Sequence, residues 1–238
     1  MKDTVLVFAR VPRLGVGKRR LARGIGARGA LRFQQTVLAR LLRALHRDRR
    51  FRTLLAATPD RAPARWPVPV PRVGQGGGDL GTRLHRACRR LPRGRVAVVG
   101  SDVPGVTADD VAAAFRALGR ADAAFGPALD GGYWLVALGP RRPSRPFAGV
   151  RWSTPHALAD TRANFRGRRV ALLRALRDVD TAEDLAAVRA TPRAGSGPIR
   201  VRGGAGPARG GRVGQKQPRS RALPEMRSHR GTLPTNPA

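Results

Sequence analysis

Apolar positions along residues 1–190 follow two different periods in turn, which predicts strands and helices that alternate along the chain. Short apolar runs typical of strands lie at 4–9, 52–57, 96–99, 123–126, 133–138 and 170–173. Helical spacing appears between them, as in the stripe Val37, Leu38, Leu41, Leu42 and Leu45 and the stripe Val111, Ala114, Phe115 and Leu118. This alternation favours an α/β domain whose mostly parallel sheet is covered by helices on both faces.

Capping residues mark where three of the helices should begin. Thr107, with Asp110 three residues later, predicts a capping box after the strand 96–99, and Thr181 with Asp184 predicts another before the last helix. Thr154 followed by a proline predicts a further helix start, with the threonine as its N-cap. Residues 63–71 hold too many prolines for a central strand, and residues 74–81, with five glycines, predict a flexible loop.

The composition changes beyond Thr191, where Gly, Pro, Arg and Ser dominate without apolar periodicity. Such a segment buries too little apolar surface to offset its ordering entropy, so we expect one folded domain over 1–190 and a disordered basic tail over 191–238. The longest early apolar run, residues 5–9, is too short for a signal peptide or a membrane span. A cytoplasmic protein is therefore expected.

The net charge is extreme: 47 Lys and Arg against 15 Asp and Glu give +32. A charge of this size normally indicates nucleic acid as a partner. Only three of the 47 are lysines, however, and a GC-rich coding sequence produces such an arginine bias as easily as a functional need does. We therefore expect nucleic-acid binding, if any, only through the basic tail.

The single cysteine, Cys88, excludes an internal disulfide and any site built from several cysteines. It lies in register with Leu80, Leu84, Ala87 and Leu91 at helical spacing. This pattern favours a small buried apolar side chain over a nucleophile.

The strand 96–99 ends close to a carboxylate, Asp102, which lies between Gly100 and Pro104. Ligands of open α/β sheets bind beyond the carboxyl ends of the strands, so Asp102 is placed where a ligand would lie. The alternative is that Asp102 only caps the following helix, although Thr107 is the better cap for it.

Three other segments carry candidate chemistry, each with a plain structural alternative. The loop 10–20 combines glycines with Lys18, Arg19 and Arg20, which suits phosphate, although a solvated arginine cluster explains it equally well. The glycines of 75–83 suit a close approach to a flat ligand or a simple linker. The turn 126–134 places Asp130 before two aromatic residues, or is only a hairpin turn.

A fourth segment, residues 178–185, begins with two carboxylates at alternate positions of an extended stretch. Asp178 and Asp180 should therefore point the same way. Helix capping by Asp180 or Thr181 is the alternative.

Segments 8–21, 75–83, 100–104, 126–134, 150–154 and 178–185 resemble, in order and spacing, the motifs of a bacterial family, DUF2064, also called the radical-SAM/selenodomain-associated transferase 1 family. The resemblance extends from residue 4 to about 189. It implies the three-layer, Rossmann-like GT-A fold of the nucleotide-diphospho-sugar transferase superfamily in a single domain. Relatives in that superfamily include the molybdopterin and 2-phospholactate guanylyltransferases.

The resemblance also implies roles for particular residues. Lys18 matches a lysine that contacts nucleotide phosphates, and Asp102 matches an acid that bridges a divalent metal, Mg²⁺ or Mn²⁺, to the phosphates, with Asp180 as a second metal contact. Asp130 matches the acceptor-side turn, where it would act either as a base toward the acceptor hydroxyl or only in positioning the acceptor. The remaining implied contacts are Arg10, Gly15, Gly17 and Arg19 to phosphate, Gln75, Gly76, Asp79 and Gly81 to the base or sugar, and Gly131, Gly132 and Tyr133 on the acceptor side. Arg10 and Arg19 depart from the family pattern, which commonly has Lys and Thr there, and Arg differs from Lys in geometry.

The expected function is thus a nucleotide-dependent transferase with Asp102, Asp130 and Lys18 as catalytic residues. Metal-assisted glycosyl transfer from a nucleotide-sugar donor to a small-molecule acceptor is the first interpretation. The alternative is a guanylyltransferase-like nucleotidyltransferase that acts on a small phosphorylated acceptor. A rival of another class is a nucleic-acid-binding protein that uses the basic tail.

Overall fold

A computed structural model describes residues 2–91 and 94–190. The strands are β1 (Asp3–Arg10), β2 (Phe51–Thr58), β3 (Arg72–Gly74), β4 (Val96–Gly100), β5 (Ala123–Pro127), β6 (Tyr133–Leu138) and β7 (Val170–Leu172). The helices are α1 (Arg19–Arg47), α2 (Leu80–Arg89), α3 (Ala108–Ala117), α4 (Ala157–Ala163) and α5 (Ala182–Ala190). The predicted tail over 191–238 lies outside the described residues.

The seven described strands form one sheet in the order β3-β2-β1-β4-β6-β5-β7. Parallel pairing joins β3, β2, β1 and β4, and also β5 with β7, whereas β6 runs antiparallel to both β4 and β5. The predicted α/β class with a mostly parallel sheet is confirmed. The carboxyl ends of β1, β2 and β4 consequently meet along one edge of the sheet.

Strands β1 and β4 are buried on both faces, as the continuous apolar runs predict. Val5 and Val7 point into one core with Ala97 and Val99, while Leu6 points into a second core with Val98. Helices α1 and α3 cover the first face, and α2 covers the second together with Phe147 and Phe165. The result is the predicted three-layer arrangement.

A third, smaller apolar cluster joins the beginning and the end of the described chain. Helix α1 is interrupted at Gly26, whose backbone has φ 76° and ψ 158°. Leu21, in the segment before this break, packs with Val179 and with Leu185 of α5. The cluster therefore holds the segment that follows Lys18 against the segment that contains Asp180.

Two of the three predicted helix starts are confirmed. Thr107 Oγ1 accepts from the backbone N–H of Asp110 (3.2 Å), and Asp110 accepts from the backbone N–H of Thr107 (2.8 Å). The same reciprocal bonds join Thr181 and Asp184 before α5. Asp102 is thus free of the capping role that Thr107 fulfils.

The third predicted helix start, at Thr154, is wrong. Thr154 Oγ1 donates to the carbonyl of Arg151 (2.7 Å) and accepts from the N–H of His156 (3.2 Å), and α4 begins only at Ala157. These local side-chain bonds stabilise a turn in place of the first helical residues. Ser153, in the left-handed region at φ 61°, completes this turn.

The predicted loop 74–81 is shorter in the structure, because β3 ends at Gly74 and α2 begins at Leu80. Gly81 lies in α2, where a Cβ would come within 2.8 Å of the carbonyl oxygen of Phe147. Gly81 is buried, and its expected contact with a nucleotide stays a prediction.

Cys88 is buried in the second core, as the helical spacing predicts. Burial raises the pKa of its thiol to about 11. The thiol is therefore protonated and unreactive near neutral pH. Separately, none of the helices in the part of the chain that the structure describes is long and apolar enough to cross a membrane.

Candidate functional site

The carboxyl end of β4 brings Asp102 to the edge of the sheet, where the loop after β1 also arrives. Lys18 ends that loop and is the N-cap residue of α1, with φ 42° and ψ 42°. Asp178 and Asp180 reach the same place from the segment between β7 and α5, and Val179 between them is fully buried in the third cluster. Residues from three distant parts of the chain therefore converge at one point.

The Lys18 ammonium is the centre of this convergence. Its Nζ donates to Asp180 Oδ1 at 2.7 Å and to Asp178 Oδ1 at 3.2 Å, and it lies 3.8 Å from Asp102 Oδ2. The side chain of Lys18 is only 6% exposed, whereas those of Asp102 and Asp180 are about half exposed, at 55% and 49%. We call Lys18, Asp102, Asp178 and Asp180 the acidic cluster.

The electrostatics follow from this geometry. Burial lowers the pKa of Lys18, but the three carboxylates outweigh it and hold that pKa above its ordinary value. Burial also raises the pKa of Asp178 to about 6, with Asp180 and Asp102 adding to the rise and Lys18 opposing it. The ammonium is therefore a permanent cation near neutral pH, and Asp178 is the carboxylate that is most costly to ionise.

A cavity of about 150 Å³ opens beside the acidic cluster. Arg10, Gly17, Lys18, Asp102 and Asp180 are among the residues that line it. Arg10 and Lys18 offer positive charge, and Asp102 and Asp180 offer carboxylate oxygens. The cavity thus presents both signs of charge within a few ångströms.

The loop before α1 has an unusual backbone. Gly15 and Gly17 adopt φ 73° and 74°, and Lys18 continues in the left-handed region, which residues with a Cβ rarely enter. A Cβ at position 15 would meet nothing within 4 Å, so glycine is favoured there by the backbone conformation and not by crowding. Arg19 begins α1 and is exposed to solvent, outside the residues that line the cavity.

Gln75 lies at the same sheet edge, but its side chain is buried and fully bonded. Its Nε2 donates to the carbonyls of Ala9 (2.9 Å) and Ala56 (2.7 Å), and its Oε1 accepts from Arg83 Nη1 (2.9 Å). The amide thereby ties together the ends of β1 and β2. A contact from this side chain to a base or sugar stays a prediction, since only 1% of the residue is exposed.

The start of the loop that follows Gln75 is held by hydrogen bonds to Asp60. Its carboxylate accepts from the N–H of Gln75 (2.8 Å) and of Gly76 (3.0 Å). Asp79 is the N-cap of α2, because it accepts from the N–H of Thr82 at 2.7 Å. The structure therefore gives the polar groups of this loop structural partners, and its role toward a nucleotide stays a prediction.

The turn that contains Asp130 lies between β5 and β6. Asp130 Oδ1 accepts from the N–H of Gly132 at 2.9 Å, and a Cβ on Gly131 would come within 2.2 Å of the carbonyl oxygen of Pro155. Tyr133 stacks edge-on against Phe125, and burial raises the pKa of its hydroxyl well above the usual range. Among the described residues, neither this turn nor the Gln75 loop lines the cavity beside Lys18.

From the sequence alone, Asp178 received no role at the site and Asp60 was not identified. Asp178 joins the acidic cluster as a third carboxylate, and its alternate spacing with Asp180 was the signal. Asp60 stands two residues beyond the end of β2, at the same edge as Asp102, and that position was the available signal. Its backbone partners are 15 and 16 residues away and could not be read from the sequence.

Carboxylate oxygens are the ligands that Mg²⁺ and Mn²⁺ prefer, so the donor types of the acidic cluster fit a divalent cation. Within residues 2–91 and 94–190, however, no group of three or more His, Cys, Asp or Glu side chains is arranged to hold a metal ion. The carboxylates instead converge on the Lys18 ammonium.

Comparison with known families and structures agrees with this fold. Residues 41–154 match the model of a family described as "Uncharacterized protein conserved in bacteria (DUF2064)". No curated protein sequence matches the chain.

Solved structures with the same fold include a candidate nucleotide-diphospho-sugar transferase from Desulfovibrio desulfuricans G20. It is 28% identical, with a TM-score of 0.76 over 82% of this chain and 90% of its own. The 4-diphosphocytidyl-2C-methyl-D-erythritol synthase of Anaerococcus prevotii DSM 20548 is 11% identical, with a TM-score of 0.52 over 79% and 97%. A CMP:2-keto-3-deoxy-manno-octonic acid synthetase solved with CTP is 13% identical, with a TM-score of 0.50 over 80% and 98%. The two distant likenesses show the fold alone.

Proposed function

We propose that the protein transfers a glycosyl group from a nucleotide-sugar donor with the help of a divalent cation, because residues 41–154 match the DUF2064 family model and the fold is that of nucleotidyl and sugar transferases. The broader statement, a transferase with a nucleotide substrate, is supported by the fold and by the 28% identical transferase candidate. The finer statement rests on the site.

One observation carries the proposal: the cavity beside Lys18 places two cationic side chains and two carboxylates around one small space. A nucleoside diphosphate needs positive charge along its phosphates, which Arg10 and Lys18 supply. It also brings a divalent cation, for which Asp102 and Asp180 supply oxygen ligands.

In the proposed reaction the bond between the sugar's anomeric carbon and the phosphate oxygen breaks, and a new bond forms to an acceptor oxygen. The nucleoside diphosphate leaves with the bonding electrons, so negative charge grows on its phosphate oxygens. A Mg²⁺ or Mn²⁺ held by Asp102 and Asp180 supplies charge neutralisation there when it is bound. Arg10 and Lys18 lie along the same cavity and stabilise the same charge.

The acceptor hydroxyl loses its proton in this transfer. Asp130 is the proposed base: its carboxylate is exposed at the turn between β5 and β6, outside the residues that line the cavity, so an acceptor would have to extend between the two. Gly131, Gly132 and Tyr133 would shape the acceptor side of the site. The expected acceptor is a small molecule.

Nucleotidyl transfer is the second candidate, because the same charges in the same cavity suit it equally. In that reaction the acceptor attacks the α-phosphate and pyrophosphate leaves. The two reactions differ in their second product, which makes them easy to separate.

The test begins with thermal unfolding of the full chain in the presence of nucleotide sugars and nucleoside triphosphates, each with Mn²⁺, because a ligand of the native state raises the melting temperature. Turnover is then followed by the second product: a nucleoside diphosphate indicates glycosyl transfer, and pyrophosphate indicates nucleotidyl transfer.

Asp102→Asn should lower turnover by about 10²–10³, the usual effect of removing one preorganised charged group. Asp109→Asn is the matched control, since Asp109 is an exposed carboxylate in the first turn of α3 and is not a lining residue of the cavity. Full activity of the Asp102 variant, or no stabilisation by any nucleotide, would refute the proposal.

A further inference from the structure

Lys18 occupies the space between the carboxylates of the acidic cluster. Its Nζ lies 2.7 Å from Asp180 Oδ1 and 3.2 Å from Asp178 Oδ1. Mg²⁺ binds carboxylate oxygens at about 2.0–2.1 Å, so a cation on Asp180 would lie almost in contact with the ammonium. Repulsion between the two positive charges disfavours their sharing these carboxylates, so the ammonium and the metal would compete for the cluster.

We propose that Lys18 is an internal competitor of the divalent cation, which gains the acidic cluster only when donor phosphates draw the ammonium away. The inference rests on the proposed function, since it assigns the metal to Asp102 and Asp180. It adds a second position for Lys18 and a rule for the order in which ligands bind.

The charges favour such an exchange. Three carboxylates surround one ammonium, so the cluster keeps a net negative charge that a divalent ion neutralises better than a monovalent one. Phosphates that enter the cavity, which Lys18 and Arg10 also line, bring new negative charge close to the ammonium. The ammonium then exchanges carboxylate partners for phosphate partners, and the metal replaces it on the carboxylates.

The geometry leaves room for the movement. Lys18 is among the residues that line the cavity of about 150 Å³, although its side chain is only 6% exposed. A lysine ammonium sits on a flexible four-carbon chain and moves by rotation about side-chain bonds, without a shift of the backbone. Arg10 lines the same cavity and attracts the phosphates to that side.

Nucleotide and metal should therefore bind cooperatively, because each removes the obstacle to the other. Without a phosphate ligand the protein should bind free divalent cations weakly.

The decisive variant is Lys18→Met, which is one atom shorter than lysine, unbranched and uncharged. Binding of Mn²⁺ alone is measured by calorimetry, or by the paramagnetic signal of free Mn²⁺, on the full chain without nucleotide. The variant should bind Mn²⁺ at least tenfold more tightly than the wild type. Arg23→Met is the matched control, since Arg23 is an exposed cation on α1, and it should leave Mn²⁺ affinity unchanged.

A second variant ties the gain to the carboxylates. Lys18→Met combined with Asp102→Asn should lose most of the gained affinity, because one metal ligand is removed. If Lys18→Met is too unstable for titration, the rise in its melting temperature on adding Mn²⁺ should exceed that of the wild type.

Equal Mn²⁺ affinity in Lys18→Met and the wild type would overturn the inference, and so would an equal gain in Arg23→Met. Neither result depends on a nucleotide. The proposed function would instead fail if no nucleotide stabilised the wild type, so the two failures are distinguishable.

Discussion

Gln75→Leu should destabilise the protein strongly, although the side chain was expected to face a nucleotide. Leucine fills nearly the same volume, so the substitution removes hydrogen bonds and leaves packing largely intact. Two of these bonds go from Nε2 to the carbonyls of Ala9 and Ala56, and the third reaches Oε1 from the Arg83 guanidinium. All three lie at the sheet edge beside the candidate site.

The magnitude follows from these three bonds. A neutral buried hydrogen bond contributes about 1 kcal/mol net, and one to a charged group about 1.5–3 kcal/mol. Arg83 can turn toward solvent after the substitution, which recovers part of its contribution, whereas the two carbonyls face leucine methyl groups. The expected loss in the free energy of unfolding is therefore about 3 kcal/mol.

Urea unfolding followed by tryptophan fluorescence measures this loss from the shift in midpoint at constant slope. Gln35→Leu is the matched control, because Gln35 is exposed on α1, and it should change stability by less than about 0.5 kcal/mol. A loss below about 1 kcal/mol for Gln75→Leu would refute the inference that the Gln75 amide holds the ends of β1 and β2 together. Gln75 would then again be a candidate for nucleotide contact.

Three further predictions concern packing, capping and protonation. Gly126→Ala should cost about 2–3 kcal/mol in urea unfolding, because the added Cβ would lie 2.2 Å from the buried Trp134 ring; a neutral result would contradict this packing. Thr107→Ala should cost about 1 kcal/mol through loss of the capping box, whereas a change in the denaturant slope would point to another cause. Cys88 has a pKa raised from 9.0 to about 11, so its unfolded thiol ionises first and stability should fall by up to about 3 kcal/mol as pH rises from 9 to 11. Cys88→Ala should remove that part of the slope, and an unchanged slope would show that other groups produce it.

Most of the sheet was predictable because its strands are continuous apolar runs that are buried on both faces. In the structure β1 is one residue longer at each end than predicted, and β4 is one residue longer at its carboxyl end. The sequence did not reveal β3, since three residues at the edge of a sheet carry no periodic pattern. The start of α4 was misplaced because Thr154 uses its hydroxyl in a turn, which a capping pattern cannot distinguish from a helix start.

The sequence could identify candidate residues for the site, but it could not predict the contacts between them. Asp102 follows from the rule that ligands bind at the carboxyl ends of strands, Lys18 from its basic, glycine-containing loop, and Asp180 from its alternate spacing with Asp178. That Lys18 pairs with the carboxylates depends on the packing of the third cluster, which brings together residues 162 positions apart. The sequence alone contains no local signal for such a contact.

The same separation between Lys18 and Asp180 has a consequence for biosynthesis. Ribosomes add about 5–20 residues per second, so roughly 8–30 s pass between the synthesis of these two residues. During that time β1, β2 and β4 can already pair, while the Lys18 ammonium lacks two of its three carboxylate partners. In a nascent chain, most of the parallel sheet can therefore form before the candidate site does. The site forms only when α5 docks against the first turns of α1.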